Sequence, residues 1–527
     1  MSLWHRGSKS TFTNTRGHAR LLTLVCPLMI VLLALPGHAD TAETSSRDSL
    51  SQKVAQLRSA AGIPKASISV SIRDATDDRL LVSRYGSRPM IPASNMKLFT
   101  TGMALDLLGA DYSFQTELYL DGDDLRVLGD GDPGLADPVL LEQTTWTDAN
   151  GVTHHGLDVP TLLSTWVSSL QKQGVGSIDE LIIDDRVFER IRVHPDWPSD
   201  QLNRRYCAEV SGLNFHLNVM HFFPTPGSTR PSFARHVPDA RWIRYENKAT
   251  SRKGPKDKQT VWIARAPGGN LFQMRGNVRS ASVEPVPVTI TDPSMFMGRL
   301  LAQQLGDAGI TVRTVRKSRM DEAVTGTVVG SVIRTPIRTS LRRCNTDSQN
   351  LHTESLLKRA DAQARQAPGS WEGARETITR VLENRIGREL AAQVRLSDGS
   401  GPSRSNRITT DAMTAWLASL YRDTSIRDAF VESLATAGKG TLRKRFAFMS
   451  RTNAKLYCKT GYINGVSTLS GYVIAPSGRC ICFSILCNDL RSGTAPAKKF
   501  QENVVKAIVD HLGIRIGLVE STILRAG

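Results

Sequence analysis

The sequence predicts an α/β fold of the α+β kind, in which an antiparallel sheet flanked by helices is interrupted by a large β-rich insertion. Near the N-terminus, an amphipathic helix precedes a strand hairpin over residues 66–86. Near the C-terminus, strand patterns at 467–476 and 478–488 precede a helix at 497–512. Two strands at each end are too few to form a stable sheet alone, so we expect all four to join. Between 118 and 320, short strands and Gly/Asp turns predominate.

The first residues have the pattern of an export signal. Four Lys or Arg residues precede an apolar run at 21–35, and the small-x-small pattern Gly37-His38-Ala39 follows. This pattern predicts a secretory signal peptide over residues 1–39, cut after Ala39. The apolar run is short for a membrane span, and a retained anchor is the alternative. We therefore expect an exported protein, periplasmic or otherwise extracytoplasmic.

Periodicity predicts the remaining elements in order. Residues 49–62 have the pattern of an amphipathic helix closed by a glycine. The strands at 66–74 and 79–86 enclose a turn, and a helix follows from Pro92. After the insertion, helical patterns occur near 345–363, 370–384 and 410–422.

Charge narrows the range of partners. The formal net charge is +17, and removal of the four basic residues of the signal leaves 17 − 4 = +13. The basic stretches at 251–258 and 313–319 have few aromatic residues between them. An exported protein of this charge favours polyanions or an anionic envelope surface, with which it could associate peripherally. Nucleic acid is not an expected partner outside the cytoplasm.

The sequence indicates neither a metal site nor a cofactor. Six cysteines follow the signal, without a CxxC pair or clustered histidines, so zinc is not expected. Export permits disulfides, but buried free thiols are the default expectation. The acidic stretch at 121–137 lacks the twelve-residue spacing of a calcium loop. Asp398-Gly399-Ser400-Gly401 is not a nucleophile elbow, because no glycine lies two residues before the serine.

Ser94 and Lys97 are the first residues that suggest chemistry. They lie three positions apart in PASNMKLFTT (92–101), hence on one face of the predicted helix. A serine hydroxyl becomes a nucleophile when a base removes its proton. A lysine can be this base when burial or a nearby cation lowers its pKa. The same Ser-x-x-Lys spacing occurs at Ser169 and Ser355, so spacing alone does not identify a site.

Two further short motifs follow in the chain. Ser348, in Ser-x-Asn, can relay a proton to a leaving amine, and Asn350 offers an amide donor and acceptor to a peptide. In Lys-Thr-Gly, predicted at a strand end, Lys459 supplies a second cation and Thr460 a hydroxyl for a substrate carboxylate. Gly461 has no side chain, so a substrate backbone could lie against the strand. The three motifs in this order are the signature of penicillin-binding proteins and serine β-lactamases.

The flanking sequence resembles one family in particular, the low-molecular-mass class C penicillin-binding proteins. The similar segments include GDGDPGL, AEVSGLN, LSDGSGPSRSNR, AGKGTLRKR and CKTGYINGVSTLSGYV, and the resemblance extends from about residue 50 to 512. It implies a penicillin-recognising domain, similar to serine transpeptidases and β-lactamases, with domains inserted between the first two motifs. The gap here is 348 − 94 = 254 residues, whereas a β-lactamase would have a much shorter one.

The resemblance also implies roles for individual residues. The implied catalytic residues are Ser94, Lys97, Ser348, Asn350 and Lys459, and the implied substrate-binding residues are Thr460, Gly461, Tyr462, Arg404 and Tyr206. The backbone N–H groups of Ser94 and Tyr462 would form the oxyanion hole. One departure is that Tyr462 stands where the family usually has Ser or Thr, which removes a small hydroxyl from the carboxylate site.

Because proteins of this family are D-alanyl-D-alanine carboxypeptidases and endopeptidases, the resemblance implies that this chain is a serine enzyme with these activities. Its catalytic domain would comprise residues 40–117 and 321–527, separated by inserted domains at 118–320. Its substrates would be peptidoglycan stem peptides, its inhibitors β-lactam antibiotics, and it would need no metal or cofactor. The alternatives are a β-lactamase or broad esterase of the same fold, and a non-enzymatic cell-wall-binding protein.

Overall fold

The structure, a computed structural model, describes residues 39–148 and 150–517, with side chains described from Ser49 onward except at 149. The predicted signal peptide lies outside the described residues except for Ala39, so its cleavage stays a prediction. No helix in the described ranges is long and apolar enough to cross a membrane.

The α-helices within the described residues are α1 (Ala39–Ser59), α2 (Met96–Leu108), α3 (Pro138–Gln143), α4 (Val159–Lys172), α5 (Pro293–Asp307), α6 (Ile337–Asn345), α7 (Asn350–Arg365), α8 (Trp371–Ile386), α9 (Arg388–Ala391), α10 (Thr410–Arg422), α11 (Arg427–Glu432) and α12 (Ala495–His511).

The β-strands within the same residues are β1 (Ile68–Asp74), β2 (Leu80–Arg84), β3 (Ser113–Asp121), β4 (Asp124–Gly129), β5 (Thr145–Thr147), β6 (Thr153–His155), β7 (Ser177–Asp184), β8 (Val219–Thr225), β9 (Ser232–Val237), β10 (Arg244–Asn247), β11 (Trp262–Arg265), β12 (Leu271–Arg275), β13 (Val286–Thr289), β14 (Thr311–Lys317), β15 (Thr327–Val328), β16 (Ile333–Pro336), β17 (Ala435–Thr436), β18 (Lys455–Ile463), β19 (Val466–Ile474) and β20 (Cys480–Cys487).

Strands from both ends of the chain form one antiparallel sheet. Its order is β17-β18-β19-β20-β1-β2, and β1 pairs with β20 from Ile68 opposite Cys487 to Asp74 opposite Ile481. The predicted joining of the N-terminal hairpin with the C-terminal strands is therefore confirmed. Every residue of β20 is buried, which explains why its sequence is an almost continuous apolar run.

Helices cover both faces of this sheet. On one face, α10 packs against β1 and β20, and Ser71 Oγ lies 2.9 Å from Thr414 Oγ1. On the other face, α1 and α12 bury apolar side chains such as Val54 and Val504 in a core with the strands. Helix α2, which follows Ser94, packs against α7 in the core below the first face.

The inserted region contains more helix and more parallel strand pairing than its short strand patterns and Gly/Asp turns predicted. Its largest sheet has the order β14-β7-β4-β3-β15, with β16 also on β3, and β7 pairs in parallel with β4 and β14. Helices α4 and α5 share its core through Trp166 and Leu301. The region also contains two three-stranded sheets, β13-β8-β9 and β10-β12-β11, and the two-stranded sheet β5-β6.

The inserted region packs into the same core as the helices around Ser94. Phe188, Trp197 and Val210 belong to one apolar cluster with Leu351 and Trp371 of α7 and α8. The strands of the region extend from β3 to β16, and the predicted domain boundaries at 118 and 320 stay a prediction. The shared core positions residues of the insertion beside those of the sequence motifs.

Six cysteines lie within the described residues, and all six are buried and unpaired: Cys207, Cys344, Cys458, Cys480, Cys482 and Cys487. Burial raises the pKa of the Cys458 thiol to about 12 and that of the Cys487 thiol likewise, so both are protonated at neutral pH. The structure therefore has the buried free thiols that were the default expectation from the sequence.

Candidate active site

Ser94 lies in a tight turn at the start of a helix. Ala93, with a φ of 47°, leads into a single 3₁₀ turn over Ala93–Asn95, and α2 begins at Met96. Ser94 is partly exposed, whereas Lys97 is fully buried, and Lys97 Nζ donates to Ser94 Oγ at 3.4 Å. The predicted placement of both residues on one face, one turn apart, is confirmed.

The environment of Lys97 lowers its basicity. Its Nζ also donates to Asn350 Oδ1 at 2.7 Å and to the Ser400 carbonyl at 2.6 Å. Burial lowers the pKa of Lys97 to about 8, against the opposing effect of nearby acidic groups that include Glu354 and Asp398. A buried lysine with this pKa exchanges its proton near neutral pH, as a general base must.

Strand β18 lies directly beside the Ser94 turn. Asn95 Nδ2 donates to the Lys459 carbonyl at 2.8 Å, and Ser470 Oγ of β19 donates to Asn95 Oδ1 at 2.8 Å. Lys-Thr-Gly therefore lies inside a strand that pairs with β19 along its length, and the predicted location at a strand end is wrong. Apolar alternation did not reveal this strand, since Lys459 occupies one of its fully buried positions.

Gly461 is required for a different reason from the one that the sequence suggested. A Cβ atom built on Gly461 would lie 2.1 Å from Thr468 Oγ1, 2.9 Å from the Pro92 carbonyl oxygen and 3.0 Å from the Ser94 nitrogen. The space beside this glycine is therefore filled by the Ser94 turn and by β19. Its missing side chain permits the strand and the nucleophile turn to approach each other.

Ser348 and Asn350 lie at a break between two helices, where the sequence suggested one helical stretch at 345–363. Helix α6 ends at Asn345, and Ser348 adopts a left-handed φ of 61° before α7 begins at Asn350. A serine in this conformation is strained, and such strain is commonly found at functional sites. The break directs Ser348 toward Lys459, whose Nζ donates to Ser348 Oγ at 2.9 Å.

Lys459 is the second buried cation of the site. Its Nζ also donates to the Thr460 carbonyl at 2.8 Å, and its side chain is fully buried. Burial lowers the pKa of Lys459 well below its usual value, and the positive charge of Lys97 lowers it further. The two lysines thus each disfavour protonation of the other.

Glu354 and Asp398 support the site, and sequence reasoning missed both roles. Glu354 accepts hydrogen bonds from the backbone N–H groups of Gly399 and Ser400, at 3.1 and 2.7 Å. Asp398 accepts from the backbone N–H of Gly401 at 2.9 Å. These bonds fix the loop whose Ser400 carbonyl holds Lys97. Glu354 lies one helical turn after Asn350, so its spacing could have indicated a shared face.

An open cleft of about 660 Å³ lies above these groups. Ser94, Ser348 and Asn350 line it from below, and Tyr206, Arg404 and Tyr462 line its rim. The three motifs are therefore brought together as predicted. Four of the sequence-predicted site residues do not line the cleft: Lys97, Lys459, Thr460 and Gly461.

The rim residues differ in how firmly they are held. Tyr462 has 65% of its surface exposed and Tyr206 has 43%. The Tyr206 hydroxyl donates to Gln201 Oε1, and its carbonyl accepts from Asn350 Nδ2 at 2.8 Å. Arg404 donates to the carbonyl of Asn464, in the turn after β18. Arg404 thus has a structural contact as well as a place on the rim.

Comparison with known proteins supports the same interpretation. The profile of the D-Ala-D-Ala carboxypeptidase 3 (S13) family matches residues 50–509. A D-alanyl-D-alanine carboxypeptidase of Actinomadura sp. (strain R39) is 28% identical over 538 residues, covering 95% of this chain and 92% of the relative. The D-alanyl-D-alanine carboxypeptidase DacB of Haemophilus influenzae is 21% identical, covering 82% and 89% respectively.

Solved structures show the fold. The crystal structure of penicillin-binding protein 4 (dacB) of Haemophilus influenzae has a TM-score of 0.67 at 20% identity, covering 88% of this chain and 99% of that one. A second structure of the same protein, in complex with a β-lactam, has a TM-score of 0.64.

The fold and the site define a serine enzyme of the penicillin-recognising class. The match over residues 50–509 shows that the chain belongs to the D-Ala-D-Ala carboxypeptidase 3 (S13) family. The predicted family, the fold class and the enzyme class, a serine-type D-Ala-D-Ala carboxypeptidase, are confirmed. Within the described residues, no group of three or more His, Cys, Asp or Glu side chains could hold a metal ion.

Proposed function

We propose that this enzyme hydrolyses peptidoglycan stem peptides through an acyl-enzyme on Ser94, as carboxypeptidase and as endopeptidase, and that β-lactams acylate the same serine. The observation that carries the proposal is the partly exposed Ser94 hydroxyl at the base of an open cleft, 3.4 Å from a fully buried lysine amine. We also propose export of the mature chain, since its polymeric substrate lies outside the cytoplasm.

The first step is attack on the carbonyl of the penultimate D-Ala. Lys97, in its neutral form, takes the Ser94 proton while Oγ bonds to the carbonyl carbon. With a pKa of about 8, roughly one Lys97 in ten is neutral at pH 7. The oxyanion would accept hydrogen bonds from the backbone N–H groups of Ser94 and Tyr462.

The second step is departure of the amine. The carbon–nitrogen bond breaks as the leaving nitrogen takes a proton from the Ser348 hydroxyl. Ser348 regains the proton that Lys97 took from Ser94, so Lys97 is neutral again before the next step. Lys459, 2.9 Å from Ser348 Oγ, is suited to this relay. Asn350 would contact the amide of the substrate, and the terminal carboxylate would bind near Tyr462, at the end of the cleft next to Thr460, which does not itself line the cleft.

The third step is hydrolysis of the ester. A water molecule gives its proton to Lys97 and attacks the acyl carbon, and the proton returns to Ser94 Oγ as the ester bond breaks. A carboxypeptidase and an endopeptidase differ only in the group that follows the broken bond. Tyr206 and Arg404 line the cleft, and the group that follows the broken bond would lie against them.

The decisive test is covalent labelling by a fluorescent penicillin. Ser94→Ala should lose labelling and D-Ala release completely. Ser169→Ala is the matched control, because Ser169 has the same Ser-x-x-Lys spacing but its hydroxyl donates to the Thr165 carbonyl within α4. Labelling that survives in Ser94→Ala would refute the proposal.

The same assay separates the alternatives. A β-lactamase or broad esterase would release the label rapidly, whereas the proposed enzyme holds it long enough for isolation. A non-enzymatic wall-binding protein would bind peptidoglycan without taking up label. The pairing of Ser94 with a buried base argues against this last alternative.

A further inference from the structure

A second cleft lies directly behind one wall of the active-site cleft. The wall is the segment 198–207, which contains two short 3₁₀ turns. On one side Gln201 and Tyr206 line the active-site cleft. On the other side Asp200, Asn203, Arg204, Arg205 and again Tyr206 line a groove of about 540 Å³. Tyr206 lines both spaces, so only this wall segment separates them at that point.

The far side of this groove, which we call the Trp262 groove, is formed by β11 and β13 of the inserted region. Trp262 has 48% of its surface exposed, although most tryptophans are largely buried. Val261, Ile263, Val286 and Pro287 add apolar surface around it. An exposed indole in an apolar recess is a common feature of binding surfaces.

The groove is held open by specific contacts. The backbone N–H of Arg265 donates to Asn203 Oδ1 at 2.7 Å, and Thr289 Oγ1 donates to the Leu202 carbonyl at 2.6 Å. These bonds fix the wall segment to β11 and β13. The spacing between Trp262 and the wall is therefore set before any ligand binds, which lowers the entropic cost of binding.

Positive charge predominates around the groove. Arg204 and Arg205 are exposed on its wall, and the guanidinium of Arg275 lies 5.9 Å from the centre of the Trp262 ring. Asp200 is the acidic residue of the lining. The stretch 251–258, just before β11, holds four Lys or Arg residues and one Asp, so it adds to the positive field.

We propose that the Trp262 groove binds a part of the peptidoglycan polymer beyond the stem peptide that is cleaved. This inference rests on the proposed function. A sugar ring would lie on the indole of Trp262, and carboxylates of neighbouring stem peptides would pair with Arg204 and Arg205, whose planar guanidinium groups suit carboxylates. Because Tyr206 lines both spaces, a polymer whose stem peptide lies in the cleft would pass over this residue to reach the groove.

Binding to insoluble peptidoglycan tests the groove without any turnover. All variants carry Ser94→Ala and are sedimented with purified peptidoglycan. Adding Trp262→Ala should weaken binding by about tenfold, a typical effect of removing a central tryptophan. Tyr245→Ala is the matched control, because Tyr245 is 49% exposed on β10 of the same three-stranded sheet but does not line the groove.

Charge reversal tests the arginines. Arg204→Glu and Arg205→Glu should each weaken sedimentation and reduce its dependence on salt, because fewer ion pairs remain to be screened. Arg375→Glu, which reverses an exposed charge on α8, is the control for net charge. If the groove variants bind as the controls do, the proposal is wrong. Equal losses for groove and control variants would also contradict it, since they would indicate a diffuse charge effect.

Activity provides an independent readout in the chain with Ser94 intact. The rate of cross-link opening in polymeric peptidoglycan is divided by the rate of D-Ala release from a short soluble pentapeptide. Trp262→Ala should lower this ratio by about tenfold relative to Tyr245→Ala. An unchanged ratio would overturn the groove proposal but not the function of Ser94. Loss of the proposed function would appear instead as labelling that does not need Ser94.

Discussion

Lys97 Nζ lies 2.7 Å from Asn350 Oδ1, and this contact joins two sequence motifs that are 253 residues apart. The Nδ2 atom of the same Asn350 side chain donates to the Tyr206 carbonyl in the inserted region. One side chain thus connects the base, the helix α7 and the wall of the cleft. The insertion is consequently part of the active-site architecture.

We expect Lys97→Arg to abolish acylation as completely as Lys97→Ala does. Arginine keeps the positive charge but does not lose its proton near neutral pH, so it cannot accept the Ser94 proton. The measurement is the second-order rate of penicillin labelling for both variants. An arginine variant that retains most of its rate would mean that Lys97 acts only as an electrostatic support.

The acylation rate should rise with pH through a midpoint near 8. Burial lowers the pKa of Lys97 to about 8, so the neutral, reactive form increases as the pH rises through this value. The carboxylate of Glu354 opposes that shift by favouring the charged lysine. In Glu354→Gln the midpoint should therefore move to lower pH. The plateau rate should fall by about tenfold, because the 399–400 backbone loses a charged acceptor.

The Glu354 prediction is checked by pH–rate profiles of labelling for the two proteins. Burial raises the pKa of Glu354 itself, and its ionised form is favoured by the N–H donors of Ser400 and Trp371. A midpoint that does not move would show that Glu354 is uncharged when Lys97 titrates. A lower plateau rate with an unchanged midpoint would show that Glu354 supports catalysis through its hydrogen bonds and not through its charge.

Gly461→Ala should destabilise the fold and slow acylation together. The added methyl group would lie 2.1 Å from Thr468 Oγ1 and 3.0 Å from the Ser94 nitrogen. Overpacking of this kind costs about 1–3 kcal/mol of unfolding free energy. Gly306→Ala is the control, since a methyl group there meets no atom within 4 Å. Thermal unfolding and labelling are measured for both, and equal behaviour of the two variants would contradict the close approach.

Tyr462→Thr should shift the product balance toward carboxypeptidase activity. Tyr462 is exposed on the rim of the cleft, and threonine would supply the small hydroxyl usual in the family without changing the backbone N–H. A hydrogen bond to a charged carboxylate is worth about 1.5–3 kcal/mol, or roughly ten- to a hundredfold in rate. Released D-Ala is quantified against opened cross-links in purified peptidoglycan. An unchanged balance would show that Tyr462 contributes only its backbone.

The sequence by itself determined the sheet formed by the two chain ends and the identity of the motif residues. Alternating and continuous apolar runs in β1 and β20 arise from local burial, so periodicity reveals them. Ser94, Lys97 and Ser348 could be identified because each belongs to a motif of three or four consecutive residues. These features depend on neighbours close in the chain.

Only the tertiary structure decided how those residues acquire their properties. The low pKa of Lys97 arises from burial beneath segments that are hundreds of residues away, and no local pattern encodes that burial. The break at Ser348 and the approach of β18 to the Ser94 turn likewise depend on packing between distant elements. Glu354 was missed because its backbone partners, at 399 and 400, meet it only after folding. Electrostatic interactions and hydrogen bonds join residues that are close in space, whereas sequence periodicity reports only on residues that are close in the chain. The pKa values and hydrogen bonds of the site could therefore not be inferred from periodicity.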